Sequence, residues 1–432
     1  MTEALPPTGS VDATRPAPAS SPDPTADPTR DPTPEGEAPN AVPAPEARRS
    51  ASQDWAAGVA AATASDAQRR ADNAAEIEPL LRVVGLKKHF PIIGGFLRRQ
   101  IGTVFAVDGV DFEVQRGETF ALVGESGCGK TTLGRSLLRL TEPTAGKVIF
   151  GGRDISALSQ DELRPVRRRM QIIFQDPFGS LNPRMPVSDI IGEGLLAQGM
   201  KDRKKRDKKV EDSLEVVGLR RDYTRRYPHE FSGGQRQRIG IARALALDPE
   251  FVVCDEPVSA LDVSIQSQVL NLLVDLRRDF NLTYLFISHN LSVIQYFSDR
   301  VAVMYLGKIA EVGTVEQLYE NARHPYTVAL LSAIPEADPR RKKKRLVLKG
   351  DVPSPAAPPT GCRFHTRCWL REKLGNPERC VTEEPQLRVL ESGHQTACHF
   401  AEDVSDRTVS QVVQTQDVLA TAVAAEGADV PA

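Results

Sequence analysis

The stretch Gly124-Glu125-Ser126-Gly127-Cys128-Gly129-Lys130-Thr131 fits G-x-x-x-x-G-K-[ST], the spacing of a phosphate-binding loop. It follows an apolar run, Thr119-Phe120-Ala121-Leu122-Val123, which reads as a buried strand. The next residues, Thr132 to Leu140, have the apolar spacing of a helix. Strand, glycine loop and helix are the context the motif requires. Glycines let backbone N–H groups curl around phosphate oxygens, and a helix N-terminus adds partial positive charge. Lys130 is expected at the β- and γ-phosphates and the Thr131 hydroxyl on Mg²⁺. Gly124, Ser126, Gly127, Cys128, Gly129, Lys130, Thr131 and Thr132 are therefore candidate nucleotide-binding residues.

Two further sets carry chemistry. Asp255-Glu256 ends the apolar run Phe251-Val252-Val253-Cys254, and two acids at the C-terminal end of a buried strand sit where α/β folds bind ligands. Asp255 is expected to hold Mg²⁺ through its waters, and Glu256 to act as general base toward an attacking water. Phe231-Ser232-Gly233-Gly234-Gln235 opens an Arg-rich helix and offers a second anion-binding turn. Taken alone, that turn is a weak signal.

The elements that must position these residues alternate between strand and helix. Leu80–Val84 and Val110–Val114 read as strands of a small β layer with a Gly- and Arg-containing insert between them. Lys147–Phe150, Met170–Phe174, Phe251–Cys254, Thr283–Ile287 and Val301–Met304 read as further strands. Residues 186–222 look helical, and Ser264–Phe280 carries Ile265, Val269, Leu272, Leu273, Leu276 and Phe280 on one helical face. The pattern predicts an α/β fold on a parallel-sheet core. The basic run Lys201–Lys209 reads as a solvated helix face, with a membrane or partner contact as the alternative.

The bulk numbers narrow the class. The chain has 432 residues, a formal net charge of -2 and 40% hydrophobic residues, enough for a large core and no argument for nucleic-acid binding. No apolar run of about 18 residues predicts a membrane span, and the first residues lack a signal-peptide pattern. A cytoplasmic protein is expected, with peripheral attachment to a membrane as an open alternative. Residues 1–50 hold 12 of the 32 prolines and read as disordered. Residues 53–76 are Ala-rich and read as a loose helix at most. The expected organisation is a tail over 1–78, a nucleotide-binding domain over 79–337, a Pro- and Cys-rich module over 338–400 and a second tail over 401–432, with the basic run Arg340–Arg345 as linker.

In order along the chain, the phosphate loop, Gln175, Ser232-Gly233-Gly234-Gln235, Asp255-Glu256, Ser259-Ala260-Leu261-Asp262 and His289 resemble an ABC-type ATPase domain over roughly residues 80–335. The resemblance implies a parallel-sheet core, a small antiparallel β layer and a helical subdomain. It implies two such domains dimerising head to tail, with ATP between the phosphate loop of one and the signature turn of the other. Ser232, Gly233, Gly234 and Gln235 would then face the nucleotide held by the partner. Gln175 would touch Mg²⁺ or the lytic water, His289 the γ-phosphate, and Asp262 would bridge the two sites. Phe90 aligns with the aromatic that stacks on adenine, across a long insert. Phe231 stands where Leu is commoner; both are apolar, and Glu256 and the signature are intact, so hydrolysis is expected.

A finer resemblance is to the ATP-binding subunits of oligopeptide and dipeptide importers. Gln175-Asp176-Pro177-Phe178-Gly179-Ser180-Leu181-Asn182-Pro183, Cys254 to Gln266, His324-Pro325-Tyr326-Thr327 and Gly361-Cys362-Arg363-Phe364 carry it. Pro257-Val258-Ser259-Ala260 is similar to the second, F-type ATPase of a heterodimeric pair. The partners so implied are a second homologous ATPase, two transmembrane permeases and an extracytoplasmic substrate-binding protein, at the cytoplasmic face of the membrane. Alternatives are import of nickel or another small solute by the same mechanism, a non-hydrolysing redox-sensing module, and a soluble ABC ATPase acting on ribosomes or DNA. The last usually has two domains in one chain or a coiled-coil insertion, and neither is visible here.

Cys362, Cys368, Cys380 and Cys398 are separated by 5, 11 and 17 residues. Disulfides do not suit a cytoplasmic enzyme, and the close pairs of most zinc sites are missing. Four thiolates suit an iron–sulfur cluster, and some similar importer ATPases carry a [4Fe–4S] cluster in this region. Zinc, with His365, His394 or His399 as substitute ligands, and free thiols remain open.

Overall fold

The computed structural model describes residues 78–96, 98–334, 345–391, 393–405 and 409. The Pro-rich and Ala-rich tail, most of the expected basic linker and nearly all of the C-terminal tail lie outside the described residues.

Two sheets form the framework. The smaller is antiparallel and built from β1 (Leu81–Gly94), β2 (Arg99–Val114), β4 (Ala145–Phe150) and β5 (Arg153–Asp154), in the order β2-β1-β4-β5. The expected insert between its first two strands is itself strand. Pairing continues from Leu81↔Val114 out to Gly94↔Arg99, so the insert lengthens one hairpin and forms no separate loop.

The larger sheet has eight strands in the order β11-β12-β10-β9-β3-β8-β7-β6. Its parallel part comprises β6 (Met170–Ile173), β7 (Phe251–Asp255), β8 (Thr283–Ile287), β3 (Thr119–Val123) and β9 (Arg300–Tyr305). Strands β3, β7 and β8 are buried at every residue, which is why they read as unbroken apolar runs. The parallel core therefore agrees with the sequence pattern. The other three strands are antiparallel: β10 (Lys308–Thr314) on β9, β12 (His394–Thr396) on β10 and β11 (Arg388–Glu391) on β12.

Helices α1 (Lys130–Leu137) and α6 (Val263–Phe280) pack on the parallel part of the sheet. A helical layer follows, from α2 (Gln160–Arg169) through α3 (Val187–Ala197) and α4 (Arg203–Val216) to α5 (Gly233–Leu245). The last three bury Ile190, Ile191, Leu195, Leu214, Ile239, Ile241 and Leu245 in one cluster that reaches Val252 and Phe286 of the sheet. The basic run lies mostly exposed at the start of α4, whose first amides are capped by Asp202. Lys209 pairs with Asp248 at 2.6 Å.

The Cys-rich segment is bonded into the main sheet. Glu311 of β10 pairs in register with Thr396 of β12. The Glu311 carboxylate is fully buried and accepts from the amides of Arg323 (2.5 Å) and His324 (3.1 Å). His394 Nε2 lies 2.7 Å from the same carboxylate. Removing one partner of a buried ionic set leaves the others desolvated and unmatched. Glu311→Ala is therefore expected to lower unfolding stability by ~3–5 kcal/mol, read from the denaturant midpoint; a change under ~1 kcal/mol would mean the set is not holding β12.

Candidate functional site

The phosphate loop lies between β3 and α1, as its pattern predicts. Gly129 has φ 110°, and a Cβ there would stand 2.0 Å from the Ala106 carbonyl oxygen. No L side chain fits that backbone or that space. At Gly124 a Cβ would come within 2.2 Å of the Met304 carbonyl oxygen, while at Gly127 the space is open. The loop is thus closed tightly at both ends and free in the middle.

Lys130 is buried, and its Nζ donates to the carbonyls of Gly124 (2.8 Å) and Glu125 (3.1 Å). The ammonium is tied back across its own loop. Thr131 donates its hydroxyl to Asp255 Oδ1 at 2.8 Å. Asp255 is 2% exposed, and that burial raises its pKa above the ordinary 3.8 despite the Thr131 bond and the nearby Arg135 charge. A hydroxyl and a carboxylate in contact, beside a lysine, fit a nucleotide carrying Mg²⁺. A divalent ion on Asp255 would favour the charged carboxylate and oppose that shift.

A second set assembles one residue further on. Gln175 Nε2 donates to Glu256 Oε2 at 3.0 Å, and His289 Nδ1 lies 3.2 Å from the same oxygen. These residues follow β6, β7 and β8, the three adjacent parallel strands of the sheet. Glu256 has φ 46°, rare for a residue with a side chain, and its amide donates to the Ile287 carbonyl at 3.0 Å. The bend turns Glu256 away from the strand and toward Gln175 and His289. An oriented carboxylate with an amide and an imidazole on one oxygen can take a proton from water.

Ser232 caps α5 in a reciprocal box: its Oγ accepts from the Gln235 amide at 3.4 Å and its amide donates to Gln235 Oε1 at 3.1 Å. Gly234 faces Ile265 of α6; a Cβ would lie 2.4 Å from Ile265 Cγ2. Asp262 stands at the N-cap of α6 without a side-chain cap bond. Phe90 lies on β1, 39% exposed, with the Lys88 ammonium 4.7 Å from its ring centre. Among the described hydrogen bonds, Ser232, Asp262 and Phe90 join neither of the two sets around Asp255 and Glu256.

An ABC transporter family model matches residues 107–259, spanning the phosphate loop and Glu256. A second model, the oligopeptide/dipeptide transporter C-terminal region, matches residues 310–373. The oligopeptide transport ATP-binding protein AppF of Bacillus subtilis is 53% identical over 330 residues, 76% of this chain and 99% of the relative. A putative peptide import ATP-binding protein of Brucella ovis is 54% identical over 320 residues, covering 74% and 97%. The putative oligopeptide transport ATP-binding protein YkfD of Bacillus subtilis is 53% identical over 325 residues, covering 74% and 95%.

The chain belongs to the ABC transporter ATP-binding proteins of the oligopeptide/dipeptide type.

One further contact reaches the phosphate loop from the C-terminal part of the chain. Glu125, second in the phosphate loop, donates its amide to Tyr326 Oη at 2.9 Å, and its carboxylate is paired with Arg367 at 2.9 Å. Neither Tyr326 nor Arg367 was a candidate by motif, because both are more than 200 positions away in sequence. Only the His324-Pro325-Tyr326-Thr327 stretch gave a signal there.

The four cysteines Cys362, Cys368, Cys380 and Cys398 line one cavity of about 20 Å³, together with His365 and His399. All are free thiols. Burial pushes Cys362 up to about 11 and Cys368 up to about 12, and raises Cys380 and Cys398 as well. The donor types suit iron–sulfur or zinc. As they stand, no three Cys, His, Asp or Glu side chains among the described residues form a group that could hold a metal ion. A larger cavity, about 470 Å³, lies between the first hairpin and the C-terminal segment, and no phosphate-loop residue lines it.

Asp255 supplies a test with a definite sign. Its folded pKa is raised, so the stability it contributes is present below the ordinary 3.8 and lost as pH rises through the folded value. Without nucleotide, Asp255→Asn should melt higher than wild type at pH 7. That gain should shrink as pH is lowered toward 4. A variant melting lower at pH 7 would show that the buried charge is already compensated.

Proposed function

We propose that this chain hydrolyses ATP to power import of peptides, as one ATPase subunit of a membrane ABC transporter. The observation that carries this reading is the convergence of Gln175 and His289 on Glu256, beside the Thr131–Asp255 pair, in a chain that aligns with nearly the full length of oligopeptide-transport ATP-binding relatives.

The chemistry follows from those side chains. Lys130 exchanges its loop carbonyls for the phosphates of ATP. Thr131 and Asp255 would hold Mg²⁺, which neutralises charge on the transferring phosphoryl group. Glu256 accepts a proton from water as the water oxygen bonds to the γ-phosphorus. The bond from that phosphorus to the bridging oxygen breaks, and ADP and phosphate leave. His289 and Gln175 keep Glu256 oriented. Ser232 and Gly234 would meet the nucleotide of a second ATPase, so closure of two subunits completes each site. Gln175, with its exposed side chain, also suits contact with a permease.

The partners on this reading are a second ATPase, two membrane permeases and an extracytoplasmic binding protein, with the chain peripheral on the cytoplasmic face. No described helix is long and apolar enough to cross a membrane, which suits a subunit held by others. The expected organisation into an ATPase domain and a C-terminal module, with tails outside them, is part of the same proposal. For the four cysteines we infer a [4Fe–4S] cluster, with Zn²⁺ as the alternative. Their shared cavity supports it, and loading would require the side chains to move and the thiols to lose protons. Anaerobically purified protein is expected to contain iron and acid-labile sulfide. Colourless, iron-free protein would leave zinc or free thiols.

Glu256→Gln should bind ATP with near-normal affinity, lose about 10²–10⁴-fold in turnover and accumulate as a closed ATPase dimer. Lys130→Ala should lose nucleotide affinity. Gel filtration with ATP and steady-state phosphate release by the assembled complex read both. Near-normal turnover in Glu256→Gln would remove it as the base.

A further inference from the structure

Glu125 places a carboxylate in a loop built to receive polyphosphate, and like charges repel. Arg367 meets that carboxylate with a fork: Nη1 donates to Oε2 at 2.9 Å and Nη2 to Oε1 at 3.4 Å. The arginine side chain is 9% exposed and the glutamate 26%, so water screens the pair poorly. Tyr326 holds the Glu125 amide, and Arg367 also reaches Tyr305 Oη at 3.5 Å. The rings of Tyr305, Tyr326 and Phe364 pack on one another at 4.7–5.3 Å between centres. They form a rigid seat under the pair.

Arg367 ends the short turn His365–Arg367. His365, which starts that turn, and Cys368, which follows Arg367, line the four-thiol cavity. His365 Nδ1 is 2.8 Å from the Cys362 carbonyl, and the Cys362 amide donates to the Cys380 carbonyl at 2.9 Å. The turn that carries the arginine is thus bonded to the segments that carry the thiols.

We propose that Arg367 is a positioning residue of the ATP site: it masks the Glu125 carboxylate and ties the phosphate loop to the thiol-lined cavity. This rests on the ATP-binding reading and not on what occupies the cavity. Without Arg367, an unpaired carboxylate stands beside the phosphates. Nucleotides should then bind more weakly in proportion to their phosphate charge.

The test uses the full chain and titrations with ATP, ADP and adenosine. Arg367→Ala should weaken ATP binding about tenfold, ADP less and adenosine not at all, with the loss falling on KM for ATP more than on kcat. Arg367→Lys should recover part of it. Glu125→Gln alone should bind ATP at least as tightly as wild type, and Glu125→Gln with Arg367→Ala should bind like Glu125→Gln. Cys368→Ser should shift ATP affinity in the wild-type background and not in Arg367→Ala. Melting temperatures without nucleotide control for folding. An Arg367→Ala loss that Glu125→Gln does not relieve, or that adenosine shares, overturns the masking. Equal or absent effects of Cys368→Ser in the two backgrounds overturn the tie to the cavity. Wild type that binds no ATP sinks the functional reading itself, a different result from either.

Discussion

Adjacent parallel strands end on the same side of their sheet, and this constraint builds the site. Strands β6, β7, β8 and β3 are neighbours whose registers run Ile173↔Cys254, Asp255↔Ile287 and Leu122↔Ile287. The residues leaving those four ends are Gln175, Asp255 with Glu256, His289, and the phosphate loop. Residues up to 124 positions apart therefore meet within hydrogen-bond distance, with no long loop needed to carry them. A one-residue slip of β7 would turn Asp255 away from Thr131 and undo both sets at once.

The site holds its charges under constraint before any ligand arrives. Burial raises the Asp255 pKa, Lys130 is bonded to its own loop and Glu256 sits in a left-handed backbone. Each is an arrangement that the surrounding sheet maintains at local cost. On the proposed reading, a polyphosphate with a divalent ion would relieve the first two, the cation meeting Asp255 and the phosphates meeting Lys130. Binding energy would thereby be coupled to charge placement inside one loop and one strand end.

Much of this was readable from residue order, for a physical reason. Fully buried parallel strands must be apolar throughout, so Phe120–Val123 and Phe251–Cys254 announce themselves. The loop glycines are forced by backbone contacts such as Gly129 against Ala106, so they too appear as fixed letters. What was not legible depends on distant pairing. Strands β11 and β12 are short, and β12 is polar although His394 and Thr396 are buried; only the contact of His394 with Glu311 shows why it joins the sheet. The hairpin insert lacks strict alternation because register shifts interrupt it at Lys88/His89 and Ile92/Ile93. Arg367 looks like any surface arginine until Glu125 is found 2.9 Å away. The four cysteines suggested one four-ligand centre; the thiols do share a cavity, and among the described residues no three side chains form a metal-holding group as they stand.

The C-terminal segment changes how a single subunit should be viewed. Its strands extend the ATPase sheet, its Arg363 pairs with Asp108 of the first hairpin, and its Arg367 reaches the phosphate loop. It is thus continuous with the nucleotide side of the chain. The signature turn faces the opposite situation: Ser232 and Gln235 satisfy each other, and Gly234 is pressed against Ile265. On the proposed reading, the loop side of the site is shaped within the subunit, by its own C-terminal residues, while the signature side serves only when a second subunit closes over it. ATP affinity would then be set largely by one chain and hydrolysis by the pair, a division that lets a transporter bind nucleotide first and commit to turnover only once its halves meet.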